Sequence, residues 1–148
     1  MKTRFGPALS GADPLFCVPM DFFDYICSIQ LQHKMTIREI AKLVDGEIVG
    51  APVDESYEVE KAFASDLMSD VLRFSMDETV LITGLCNNQT MRTAEMADLR
   101  VVVLGRDKQP DADMLALAED IDITIIKCKF SIFKISGILY NAGIKPLY

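Results

Sequence analysis

The chain has no tryptophan and a single histidine, His33. Neither a GxSxG elbow nor an HExxH run is present, and no Ser/His or Cys/His pair can be built beyond residue 34. Hydrolytic and acyl-transfer chemistry therefore lacks its usual carriers. No GxxxxGK[ST] or GxGxxG loop occurs, so no glycine-rich phosphate cradle is present. The four cysteines, Cys17, Cys27, Cys86 and Cys128, form no CxxC pair. Zinc and iron–sulfur sites need clustered ligands at set spacings. No metal, no cofactor and no catalytic residue is expected, and the protein reads as a non-enzyme. Reduced thiols are the plain reading of the cysteines. A thiol switch between Cys86 and Cys128 is the alternative, because both fall at strand ends.

Long apolar runs are also missing. The longest stretch without a charge is Thr79 to Met91, 13 residues, and it contains Thr, Asn and Gln. A spanning helix needs about 20 mainly apolar residues, so no membrane helix is expected. Pro7, Asp13, Pro14, Pro19 and Asp21 interrupt any signal-peptide core near the N-terminus, and the protein reads as cytoplasmic.

Positive charge is scarce: 15 Lys and Arg stand against 22 Asp and Glu, a net charge of −7. General nucleic-acid binding needs the opposite balance, so nucleic acid is excluded as a partner. The acidity is uneven. Residues 1–34 are neutral, with Lys2, Arg4 and Lys34 against Asp13, Asp21 and Asp24. Residues 123–148 hold Lys127, Lys129, Lys134 and Lys145 and no acid, a sum of +4, which leaves −11 on residues 35–122.

What is present is one domain's worth of chain, 148 residues and half apolar, enough for a core without staples. Residues 1–34 stand apart, with three of the six prolines, half of the Phe and no clear period. They are expected to be an N-terminal extension, poorly ordered or loosely docked, before a domain over 35–148. Thr36-Ile37-Arg38-Glu39 is a capping box, Ile37, Ile40, Ala41 and Val44 follow at helical spacing, and Gly46 ends the helix. Glu47–Val49 and Val59–Ala64 read as strands. Asp66–Phe74 reads as a helix capped by Ser65 or Asp66, with Asp70 a surface acid on the same side.

Then a pattern repeats. Thr79–Thr83, Arg100–Leu104 and Ile123–Ile126 are buried apolar strands, each followed by a helical pattern: Asn88–Ala97, a helix started by Pro110, and Ser131–Asn141. Strands apolar on both faces, alternating with helices, mean an α/β fold. A mainly parallel sheet of about four to five strands with helices on both sides is expected.

Ligands in such sheets sit outside the C-terminal strand ends. Three loops lie there. The first runs from Thr83 and Gly84, read as a freely bending glycine, to Asn87, Asn88 and Gln89, with Arg92 in the next helix. The second holds Gly105 and Arg106, and the third Lys127, Lys129 and Ser131. Amides on one loop, cations on two and a helix start on the third suit a small anion. The plainer alternatives are Asn88 as an N-cap and the lysines as solvated side chains.

These segments carry a family resemblance. Ser65-Asp66-Leu67-Met68-Ser69-Asp70-Val71-Leu72, Ile82-Thr83-Gly84-Leu85 with Asn88-Gln89, and Arg92 to Met96 occur in order. Val103-Leu104-Gly105-Arg106 with Lys108 and Pro110, Ser131-Ile132-Phe133, and Gly137 to Tyr140 follow. Together, residues 35 to about 144 resemble the DRTGG domain. That module is similar in fold to the N-terminal domain of HPr kinase/phosphorylase and also occurs in CBS-domain pyrophosphatases. The chain departs from the name motif, having Cys86-Asn87-Asn88 and Leu104-Gly105-Arg106 where the wider family has Gly-Asp-Arg and Thr-Gly-Gly. The resemblance implies a non-catalytic regulatory module, a homodimer, and a role in redox or energy regulation beside a sensor kinase or a hydrogenase-related protein. The resulting expectation is a module that binds a nucleotide-like anion through the eleven residues from Thr83 to Ser131 named on the three loops. A protein-interaction adaptor without a small ligand is the other reading.

Overall fold

The computed structural model describes residues 34–148. The expectation for residues 1–34 therefore lies, apart from Lys34, outside the described residues.

Strand β1 (Met35–Thr36) runs into helix α1 (Ile37–Leu43), and the capping box forms as the sequence predicts. The Thr36 N–H donates to Glu39 Oε2 at 2.9 Å, and the Glu39 N–H donates to Thr36 Oγ1 at 3.4 Å. Replacing Thr36 by Ala removes one arm of this cap and lowers stability by about 1 kcal/mol. Chemical denaturation checks it; an unshifted midpoint would show that the cap contributes nothing. Gly46 follows the helix, but Asp45 takes the left-handed conformation, with φ 51°. Gly46 is required by closeness instead: a Cβ there would stand 2.5 Å from Ile126 Cγ2.

After β2 (Glu47–Gly50) the expected strand at 59–64 divides. Glu58–Val59 (β3) pairs with β1 as a separate ribbon, and Lys61–Ala64 (β4) enters the main sheet. The expected helix at 66–74 contracts to one turn, α2 (Met68–Val71), whose N-cap position is Leu67 with no side-chain bond. Ser65 Oγ accepts the Leu67 N–H at 3.0 Å, and Asp66 is engaged elsewhere.

The repeating part follows: β5 (Thr79–Thr83), α3 (Asn88–Met96), β6 (Val101–Leu104), α4 (Ala112–Asp120), β7 (Thr124–Lys127) and α5 (Ile132–Asn141). A further strand, β8 (Lys145–Pro146), closes the chain. The sheet order is β2-β7-β6-β5-β4-β8, parallel from β7 to β8, with β2 antiparallel at the edge. The α/β architecture is as expected, but the sheet has six strands rather than four or five. The two-residue β8 is too short to leave a period in the sequence.

The two-residue alternation of strands explains why these runs are apolar throughout. Val80, Ile82, Val101 and Val103 face one core, built with Ile37, Ile40 and Val44 around α1 and Ile135 and Leu139 of α5. Leu81, Val102 and Leu104 face the other, against Val71 of α2, Met91 and Ala94 of α3, and Met114 and Ala118 of α4. Among the described residues no helix is long and apolar enough to cross a membrane.

Candidate functional site

The strand order places the ends of β4, β5, β6 and β7 along one rim, and the backbone ties the loops there together. The Ser65 N–H donates to the Ile82 carbonyl at 3.1 Å, and the Gly105 N–H to that of Thr83 at 3.0 Å. Past β6 the chain turns sharply. Arg106 and Asp107 both take left-handed backbone, with φ 63° and 54°. Such geometry costs a non-glycine residue roughly 1–2 kcal/mol. It is held by the Arg106 N–H on the Phe130 carbonyl at 2.8 Å and the Asp107 N–H on that of Cys128 at 3.1 Å. The second loop is thereby bonded to the first and the third.

This turn aims the Arg106 side chain back over the end of β5. A Cβ on Gly84 would lie 2.6 Å from Arg106 Cζ and 2.7 Å from Nη1. Gly84 thus serves as a floor for the guanidinium. The reading of it as a freely bending glycine is corrected, because its φ is not left-handed and the close approach of Arg106 is what calls for glycine. Gly105 leaves similar room, with Ile132 Cδ1 at 2.8 Å from where its Cβ would be, and so lets α5 approach the rim.

The centre of the cluster is a residue the sequence reading treated as a helix cap. Asp66 Oδ1 accepts the Gly84 N–H at 2.7 Å and the Thr83 hydroxyl at 2.9 Å, and Oδ2 accepts Arg106 Nη2 at 2.5 Å. Partial burial opposes its charge. The Gly84 N–H, the Thr83 hydroxyl and the Arg106 guanidinium outweigh that cost and hold the carboxyl below its ordinary range. Its place two residues beyond β4, at the same rim as Thr83, was the available signal.

The other predicted residues divide. Asn87, not Asn88, caps α3: its Oδ1 accepts the Thr90 N–H at 2.9 Å. Asn88 and Gln89 stand exposed in the first turn of that helix. Arg92 turns along the helix to Glu95 at 3.1 Å. Lys127 reaches across the sheet edge to Glu47 at 2.8 Å and to Gln109 Oε1 at 3.2 Å. Lys129 is exposed, and no ion pair holds it among the described residues. Ser131 caps α5 through the Lys134 N–H at 3.3 Å.

No family model matches the chain, and no curated protein matches it. A solved structure does. It is the CBS and DRTGG domains of the regulatory region of Clostridium perfringens pyrophosphatase, complexed with its activator, diadenosine tetraphosphate. The TM-score is 0.62 at 13% identity over 76% of this chain. The chain spans about half of that chain's length, 48%. What the two share is the fold, and Asp66, Arg106 and their partners stand on this chain's own geometry.

The thiol switch is not formed. Cys128 is buried in the α1/α5 core and donates its thiol to the Val44 carbonyl at 3.0 Å, whereas Cys86 packs against the opposite core beside Met114. The sheet separates them, and burial pushes both thiols up, away from the reactive thiolate. Among the described residues no group of three or more His, Cys, Asp and Glu is placed to hold a metal ion.

Proposed function

We propose that this chain is a DRTGG-type regulatory module, homodimeric and without catalysis of its own, that binds a small nucleotide-like anion at the strand-end rim. One observation carries the reading. The Arg106 guanidinium is half exposed and pinned over Gly84 by a single carboxylate through Nη2. Its Nη1 and Nε have no hydrogen-bond partner among the described residues. A planar cation held in place with donors to spare suits phosphate oxygens. Lys129 and the start of α5 stand on the third loop, and Asn88 and Gln89 on the first, where a base or sugar edge could meet their amides. Thr83, Gly84 and Gly105 frame the site. Lys127 and Arg92, already ion-paired, contribute less. The pyrophosphatase regulatory region, about half of which this chain spans in fold, is complexed with a dinucleotide activator, and that supports the ligand class.

A thermal-shift screen of mononucleotides, dinucleoside polyphosphates and phosphorylated metabolites tests it. A ligand at a hundred times its Kd stabilises the fold by about 2.7 kcal/mol, a rise of several degrees. Arg106→Ala and Lys129→Ala should each diminish that rise. A screen without a hit, or a hit whose shift survives Arg106→Ala, rejects the rim as the site.

A further inference from the structure

Helix α5 buries Ile135 and Leu139 against the sheet and turns Phe133, Gly137 and Tyr140 outward. These positions are four and three apart and lie on one face. Phe133 is 89% exposed and Tyr140 67%, with Tyr148 at 80% nearby. Between this face and strands β4 and β8 runs an open, mainly apolar groove of about 410 Å³, bordered by Ala62, Ala64 and Pro146. Scattered exposed apolar residues are ordinary, but large aromatics gathered along one groove mark a contact surface.

Gly137 says what kind of contact. A glycine inside a helix costs roughly 0.5–1 kcal/mol relative to alanine. Among the described residues nothing lies within 4 Å of where its Cβ would be, so their packing does not call for glycine. The gap between Phe133 and Tyr140 is shaped for the close approach of another backbone.

We propose that this face joins two copies of the chain, their α5 helices crossing antiparallel at Gly137 about a two-fold axis. Phe133 of each copy then packs beside the partner's Tyr140. Spacings of four residues on one side of Gly137 and three on the other make the face self-complementary, as an isologous contact requires. Charge does not oppose a second copy along the groove itself. The body is acidic and repels itself, whereas the groove's one charged lining residue, Lys145, is tied to Glu60 at 3.6 Å. Phe133, Tyr140 and Tyr148 of two copies, fully covered, bury on the order of 1,000 Å² between them, the lower bound for a specific contact. A small polar ligand is less well served, because the groove's lining is mainly apolar, Ser136 Oγ already donates to the Ile132 carbonyl at 2.9 Å and Lys145 is held by Glu60.

The inference rests on the homodimer reading above and adds where the two copies meet. Sedimentation velocity of the full chain tests it. The parent should sediment at twice 16.5 kDa. Phe133→Asp should weaken the dimer roughly thirtyfold, as loss of a central aromatic anchor does. Far-UV circular dichroism should stay unchanged because the side chain is exposed. In Gly137→Cys a short bismaleimide should link two copies, with the bond mapped to residue 137. A monomeric parent overturns both the dimer and this face. A dimeric parent whose Phe133→Asp form stays dimeric, or whose Gly137→Cys form does not link, overturns the face alone.

Discussion

Asp66→Ala should lower the melting temperature by roughly 8 °C and remove the response to any rim ligand. Three donors converge on this carboxylate: the Gly84 N–H, the hydroxyl of the fully buried Thr83 and the Arg106 guanidinium. Removing the acceptor strands them, and an unpaired buried donor costs about 1–3 kcal/mol. The outer half of the cluster is solvated, so the sum stays near 2–3 kcal/mol, which in a chain of this size is several degrees. Asp66→Asn should cost less, because Oδ1 still accepts two bonds, but its NH₂ then faces the guanidinium donor to donor. Differential scanning calorimetry reads both. The effect has a pH signature. The folded-state pKa of Asp66 is depressed, so its contribution is present above the unfolded carboxyl value near 4 and fades as pH falls through the lower folded value. The gap between parent and Asp66→Ala should therefore be full at pH 7 and narrow below about pH 4. A gap independent of pH would show that the charge of Asp66 plays no part.

Leu81→Ala should destabilise the fold by about 2–5 kcal/mol, the largest loss of any single change considered. Leu81 is completely buried in β5, one of the two middle strands, and faces the core shared with Val71, Met91 and Val102. Helices on that side rest on an all-buried strand and cannot close the cavity without leaving its neighbours. The expected fall in melting temperature is about 10 °C. A loss under about 1 kcal/mol would mean that this core collapses around the cavity. Phe133→Asp gives the internal contrast: it removes a larger apolar group, yet it should leave monomer stability nearly unchanged because that ring faces solvent.

The elements themselves were legible wherever the signal was local. TVLIT and VVVL announced strands covered on both faces, and both are fully buried with helices on either side. The Thr36/Glu39 capping box needs only four consecutive residues and formed as read. Errors came where a neighbour distant in sequence recruited the residue. Asp66 had the composition and place of an N-cap, but Gly84 and Arg106 claim its oxygens from 18 and 40 residues away. Cys86 and Cys128 both end near strands, and only the layering shows that they face opposite cores.

The sequence by itself determined the class of fold, the strand ends where a ligand site could lie, and the excess of acid over base. Those follow from periodicity and composition, which are sums over local residues. The tertiary structure alone decided which cations remain available. Lys127 and Lys129 are two residues apart and look alike in the sequence, yet the antiparallel β2 brings Glu47 beside Lys127 and leaves Lys129 exposed. It also decided that Gly84 is a floor for Arg106 and that the glycine of α5 faces open space. Charge pairing and close approach depend on distance in space, and chain order does not carry that distance.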